Sequence, residues 1–369
     1  MQTVSTYLPM LCSWFIFALF LFFVVKRRGD VRPGALLGYA VIYAGYLAAT
    51  LINNAYMERW FDAFLYSLPP FLLASICMSS EVSSKLYVKA ATWVFALMAA
   101  LNLLFELVPS MWSLISEWRE ECFLGYHTFI GWSLTLGMLF ALLDKQYNKR
   151  AWLCIIYVLL FFANIALIRP GGAVVGALII LAWLVLPFVR KIFSKWNLLI
   201  FIGIVILLFA VLMWGLEPFV NFPPVKLFIE NVLHKDLSLS GRLYVWPGVL
   251  NYIYQSPVTG YGFGESTQIF YEASRWNHSM VHAHNLFLQC WYEGGIITLI
   301  LGILMLVYTA LKTEPNGDGM FKMILFAVLI MLQSDQDVYY NWYMPAFVCH
   351  LYILSMENKN EQKIQSPHG

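Results

Sequence analysis

The segment Leu198–Trp214, LLIFIGIVILLFAVLMW, carries no charged or amide side chain. Crossing the hydrocarbon core of a bilayer as a helix takes roughly 20 mostly apolar residues. A spanning segment must satisfy its own backbone hydrogen bonds, which leaves helices as the choice for single apolar runs. Comparable runs recur near 7–25, 34–52, 61–78, 90–108, 124–143, 151–168, 170–189, 197–216, 285–308, 323–336 and 340–356. The expected fold is an all-α polytopic membrane protein with about eleven transmembrane helices. Composition agrees: 60% of residues are hydrophobic and 12% are charged, against about 25% charged in soluble domains. A net charge of +2 gives no reason to expect a nucleic-acid partner.

The six cysteines, Cys12, Cys77, Cys122, Cys154, Cys290 and Cys349, lie mostly in apolar runs and form no CxxC pair. They read as small buried hydrophobes, not as a disulfide framework or zinc site. The first run has no basic residue before it and no small-residue cleavage signal ahead of Lys26-Arg27-Arg28. It is expected to be a retained helix, not a signal peptide.

With eleven spans, alternate loops lie on opposite sides. Sixteen of the 23 lysines and arginines then fall on one side and seven on the other. Basic residues favour cytoplasmic loops, so the N-terminus is expected outside and the C-terminus inside. The expected division is 1–216 for spans one to eight, 217–284 for one large ordered extracytoplasmic loop, 285–356 for spans nine to eleven, and 357–369 for a cytoplasmic tail.

The loop is too rich in aromatic and aliphatic residues for disorder. VKLFIENVLHK (Val225–Lys235) has apolar residues at helical spacing. GRLYVWPGVLNYIYQ (Gly241–Gln255) reads as a second helix, with Ser240 as a candidate N-cap and Pro247 in its first turns. SPVTGYGFGES (Ser256–Ser266) is rich in turn residues.

Few polar residues remain that could do chemistry. Arg169 closes one span and Pro170-Gly171-Gly172 opens the next. A charge there is either a snorkelling anchor or part of a site, and the glycines let a large ligand approach the backbone. Arg242 opens the second loop helix, where a helix N-terminus beside an arginine suits phosphate. His284 ends the loop, and an imidazole suits proton transfer at neutral pH. His282 lies two residues away, as metal ligands can, but no third ligand has suitable spacing. Glu293 lies inside the next span and needs a partner there. On a straight helix it falls opposite His284 and is expected to support the structure or a polar cavity. Gly294-Gly295 fits tight helix packing as well as a ligand role. Asp335 and Asp337 read as a hydrated loop.

This pattern resembles the O-antigen ligase and O-antigen polymerase superfamily of bacterial surface-polysaccharide assembly. Its ligase signature is histidine, then Asn, Ser or Gln, nine residues, Gly, two residues, and Gly, Thr or Tyr. Here His284 and Asn285 are followed by nine residues through Gly294, then Gly295, Ile296-Ile297 and Thr298. The large loop with GRLYVW and SPVTGYGFGE, and an arginine before small residues in IRPGGA, also look like family segments. A second family motif has leucine four residues after its arginine, where this chain has Trp246 after Arg242. The resemblance covers about 165–310.

The resemblance implies a C-type glycosyltransferase fold in the bacterial cytoplasmic membrane, with its active site on the extracytoplasmic face. The donor would be an undecaprenyl-diphosphate-linked glycan, used without metal or other cofactor. Arg169 and Arg242 would bind the diphosphate and His284 would activate an acceptor hydroxyl on a glycan or lipid-linked acceptor. Asn285, Glu293, Gly295 and His282 would support them. A flippase and a chain-length regulator are candidate partners. A polytopic transporter or flippase is the alternative, disfavoured because the chain shows no repeat and gathers its polar groups on one face. A scaffolding protein would not need Arg169, Arg242 and His284 on one side.

Overall fold

A computed structural model describes residues 14–22, 24–26, 32–108, 121–126, 130–232, 236–238, 241–264, 282–313, 319–334 and 342–365. Asp335, Asp337 and Ser240 lie outside the described residues. Residues 14–22 and 24–26 are helical. The helices that follow are α1 (Leu36–Ile52), α2 (Met57–Cys77), α3 (Glu81–Leu107), α4 (Ile130–Asn148), α5 (Ala151–Ile168), α6 (Gly171–Val185), α7 (Pro187–Lys195) and α8 (Leu198–Trp214). Then come α9 (Leu216–Asn221), α10 (Pro223–Asn231), α11 (Arg242–Gln255), α12 (Leu286–Lys312), α13 (Gly319–Met331) and α14 (Tyr343–Gln365). Two two-residue strands, β1 (Glu121–Cys122) and β2 (Gly125–Tyr126), pair antiparallel between α3 and α4.

A helix occupies each of the eleven apolar runs, but not always as expected. The run at 124–143 starts late, because β2 takes its first residues and α4 opens at Ile130. The run at 170–189 is not one rod. α6 and α7 meet at 101°. Leu186 precedes Pro187 and holds φ −99°, ψ 110°, the extended conformation that a following proline imposes. Among the described residues four helices are long and apolar enough to cross a membrane, or five if α6 and α7 form one broken span. α1, α8 and α13 are shorter apolar helices.

Two helices open on side-chain caps. Asn197 accepts from Leu199 N at 2.9 Å and opens α8, and Ser80 accepts from Ser83 N at 3.3 Å and opens α3. At α11 the N-cap is Gly241 with φ 87°, not Ser240. A left-handed residue there favours glycine.

The core forms where α12 lies along α1 and where α13 packs against α4, α6 and α7. Gly38 and Gly45 are two turns apart on one face of α1. A Cβ at Gly38 would lie 2.9 Å from Met305 Cγ, and one at Gly45 would lie 2.8 Å from Thr298 Oγ1. These small residues allow the close approach that drives helix association in lipid. Asn102 Nδ2 donates to Asn164 Oδ1 at 2.8 Å, and Asn164 Nδ2 donates to Ala99 O at 3.0 Å, which ties α3 to α5.

Candidate active site

Three segments converge on residues 332–334, the turn that ends α13. Leu286 N donates to Leu332 O at 2.8 Å. Asn285 Nδ2 donates to Gln333 O at 2.9 Å. Arg242 Nη2 donates to Ser334 O at 2.5 Å. A Cβ at Gly172 would lie 2.5 Å from Ser334 Oγ, so the N-terminus of α6, three residues beyond Arg169, abuts the same turn. The loop helix carrying Arg242 and the mouth of α12 are thus brought together with the α5–α6 corner, although 73 positions separate the two arginines. The corner's own Arg169 is exposed and its Nε donates back to Ala166 O at 3.1 Å.

Asn285 is a complete N-cap for α12. Its φ is −155° and its Oδ1 accepts from Leu288 N at 3.0 Å. Both halves of its amide are used, one on its own helix and one on α13, and the side chain is fully buried. An apolar residue here would leave a helix-terminal N–H and the Gln333 carbonyl unmet.

His284 sits one residue before that cap, with φ 50°. A left-handed backbone is unusual for a non-glycine residue and is held only where surroundings enforce it. The enforcement is visible at Ala283. Its N–H donates to Gln289 Oε1 at 2.7 Å and its carbonyl accepts from Trp246 Nε1 at 2.8 Å. Gln289 Nε2 then donates to Glu293 Oε1 at 2.8 Å, and the same oxygen accepts from Gly264 N at 3.1 Å. The chain from Trp246 through Ala283, Gln289 and Glu293 to Gly264 links α11, α12 and the loop between them. It pins the backbone between the two histidines.

The His282 and His284 rings lie 3.9 Å apart between centroids, tilted by 46°. His284 N donates to His282 Nδ1 at 3.3 Å. Burial, and next the Arg242 guanidinium, lower the His284 pKa from 6.5 to about 3. Its imidazole is therefore neutral at pH 7, the state that accepts a proton. Among the described residues no group of three His, Cys, Asp or Glu side chains is placed to hold a metal.

Glu293 has the partners its burial requires, and it reaches the histidines through Gln289 instead of lying apart from them. Gly294-Gly295 marks a break in α12, not simple tight packing of one straight helix on another. Gly295 has φ 70° and ψ 178° and breaks α12. The break leaves Tyr292 O and Glu293 O without their intrahelical donors, and the 256–264 loop supplies replacements. Tyr261 N donates to Tyr292 O at 3.0 Å, Gly262 N to Glu293 O at 2.9 Å, and Ile296 N to Pro257 O at 2.9 Å. A Cβ at Gly295 would overlap Val258 O. The far side of this loop is held by α1 and α2: Phe263 N donates to Thr50 Oγ1 at 3.1 Å, and Arg59 Nη1 donates to Gly264 O.

Residues 155–303 match the O-antigen ligase family. This segment contains Arg169, Arg242, His284 and the whole His284–Thr298 signature. A candidate polysaccharide ligase of Rickettsia conorii is 33% identical over 140 residues, 34% of each chain. Over this segment the chain resembles the O-antigen ligase superfamily. A candidate polysaccharide ligase of Rickettsia felis is 39% identical over 95 residues, 24% of this chain and 23% of the relative. The ComP-specific O-oligosaccharyltransferase of Acinetobacter baylyi is 28% identical over 131 residues, 33% of this chain and 24% of the relative. The matches thus span about a third or less of these relatives' length. No solved structure matches the chain. Its apolar helices and this family make the chain a multi-pass membrane protein.

Trp246 and Gln289 are the site residues that the sequence reading missed. Gln289 lies four residues after Asn285 and four before Glu293, so the three share one helical face. That spacing was the available signal. Trp246 was met only as a departure from the family's leucine.

Proposed function

We propose that this protein transfers a glycan from an undecaprenyl-diphosphate donor to a sugar hydroxyl, as a polysaccharide ligase or polymerase of the O-antigen ligase superfamily. The supporting observation is the convergence of Arg242, His284 and the Arg169 corner at the 332–334 turn. In this reading eleven helices cross the cytoplasmic membrane, loop 217–284 lies outside, and the site faces outward in a C-type glycosyltransferase arrangement.

Each residue has a distinct task. A guanidinium carries five N–H donors in a plane, and the Ser334 carbonyl orients that of Arg242. It binds the diphosphate together with Arg169, which swings from its own helix end to do so. Holding the leaving charge makes departure from the anomeric carbon easier. The neutral His284 imidazole takes the proton from the acceptor hydroxyl as the new bond forms. His282, Asn285, Glu293 and Gly295 keep His284 in place. The name of the Acinetobacter relative favours a second acceptor reading, in which the hydroxyl belongs to a specific partner and not to a growing glycan.

The test is glycan transfer by purified protein from a synthetic undecaprenyl-diphosphate oligosaccharide. Lysine lacks the planar fork of arginine, so Arg169→Lys and Arg242→Lys should each lose most activity while still inserting and accumulating. Near-normal transfer by both variants would remove the diphosphate role. Offering a lipid-linked glycan, a free glycan and a protein hydroxyl in parallel separates the acceptor classes.

A further inference from the structure

A cavity lies far from His284. It has a volume of about 650 Å³ and is lined by residues of α4, α5, α6 and α7, with Met320 of α13. Its place in the bundle follows from three helices. α5 contributes Ala151 and Cys154, near the opposite end from Arg169. α6 contributes Trp183 and Leu184, near the opposite end from Gly171. α13 contributes Met320, at the opposite end from the 332–334 turn. The 18 residues of α5 make about 27 Å at 1.5 Å per residue. The cavity therefore sits at the other end of the helices from the candidate active site, on the side where most basic residues lie.

Its walls are of two kinds. Ile155, Val158 and Leu159 of α5 form an apolar slot. Lys145 and Arg190 stand at the same cavity and bring two cations. The Arg190 guanidinium is held in place, donating Nε to Trp183 O at 2.7 Å and Nη2 to Leu184 O, with its Cζ over the Trp183 ring at 5.6 Å from the centroid. Lys145 is exposed, and among the described residues no carboxylate is within ion-pair distance of it. The neighbouring Asp144 Oδ1 is engaged by Arg150 at 2.6 Å and Asn148 at 2.8 Å. A fixed guanidinium, an ammonium left for a ligand, an interfacial indole and an aliphatic slot match one ligand chemistry: a phosphate ester carrying a hydrocarbon chain.

We infer that this cavity binds an anionic phospholipid, its phosphate between Lys145 and Arg190 and one acyl chain along Ile155, Val158 and Leu159. Basic clefts between helices at the cytoplasmic face recognise anionic headgroups in this way. The proposal is independent of the glycosyl-transfer reading, and its test needs no turnover.

The full chain is purified in detergent and incubated with phosphatidylglycerol, and the bound lipid is counted by native mass spectrometry. Wild type should retain one phosphatidylglycerol that an equal amount of phosphatidylcholine does not displace. Lys145→Gln should weaken retention about five-fold, and Lys145→Arg should keep it. Val158→Trp, which fills the slot and leaves both cations, should also lose the lipid. Unchanged retention in Lys145→Gln or Val158→Trp, or equal retention of phosphatidylcholine, would overturn the proposal. Displacement by undecaprenyl phosphate would overturn the assignment to a phospholipid. The two competition arms use wild type alone, so they decide even if a variant fails to fold.

Discussion

The indole of Trp246 donates to the carbonyl of Ala283 across 2.8 Å, joining α11 to the residue between His282 and His284. Both groups are buried. Trp246→Phe keeps most of the ring volume and removes the donor. It leaves a buried carbonyl unmet, which costs about 1–3 kcal/mol. The expected outcome is a folded protein with kcat lowered by up to about 100-fold through misplacement of His284, and with donor KM little changed. Trp246→Leu, the residue of the family pattern, should not restore kcat. Steady-state transfer kinetics check both, and wild-type kcat in Trp246→Phe would show that the bond does not position the histidine.

Gly295 tests the broken helix. Its φ of 70° with ψ of 178° is a region open essentially to glycine alone, and the Val258 carbonyl occupies the space of a Cβ. Gly295→Ala should release the 256–264 loop and destabilise the protein by at least about 1–3 kcal/mol. Limited proteolysis should then cut within 256–264, where wild type resists. Wild-type resistance in Gly295→Ala would contradict the docking of the 256–264 loop on the broken helix.

Much of this arrangement was legible in the sequence, because lipid imposes a simple code. Apolar runs of spanning length became helices, with α5 matching its expected limits of 151 and 168. His284 and Asn285 stood out because polar groups at the mouth of an apolar run are costly and need a reason. The 101° bend after α6 was written in Leu186-Pro187 but hidden by unbroken hydrophobicity on both sides. The role of Gly294-Gly295 was not legible. Glycine marks a special backbone without saying what will approach it, and the answer lay 35 or so positions upstream in a loop without periodicity. The Ala283 contacts were equally hidden, since an alanine offers only its backbone.

The depressed His284 pKa sets a pH dependence. Between about 3 and 6.5 the unfolded chain binds a proton that the folded one does not. The stability tied to neutral His284 is thus present above pH 6.5 and lost as pH falls toward 3. The free protein keeps its base deprotonated, so the acid limb of kcat/KM should fall well below 6.5. A diphosphate bound at Arg242 cancels the cation's field and adds negative charge, which raises the imidazole pKa. The acid limb of kcat should therefore sit at higher pH than that of kcat/KM. Coincident limbs near 6.5 would show that neither burial nor Arg242 governs this group.

In the proposed mechanism His284 is the base. An acceptor hydroxyl is a weak nucleophile, and a positioned base contributes about 10²–10⁴-fold. The measurement is single-turnover transfer from a synthetic undecaprenyl-diphosphate glycan, with chelator present, comparing wild type, His284→Ala and His282→Ala. Wild type should be insensitive to chelator, His284→Ala should lose about 10²–10⁴-fold without loss of membrane insertion, and His282→Ala should lose less. Full turnover by His284→Ala, or a wild type stopped by chelator, would contradict this mechanism.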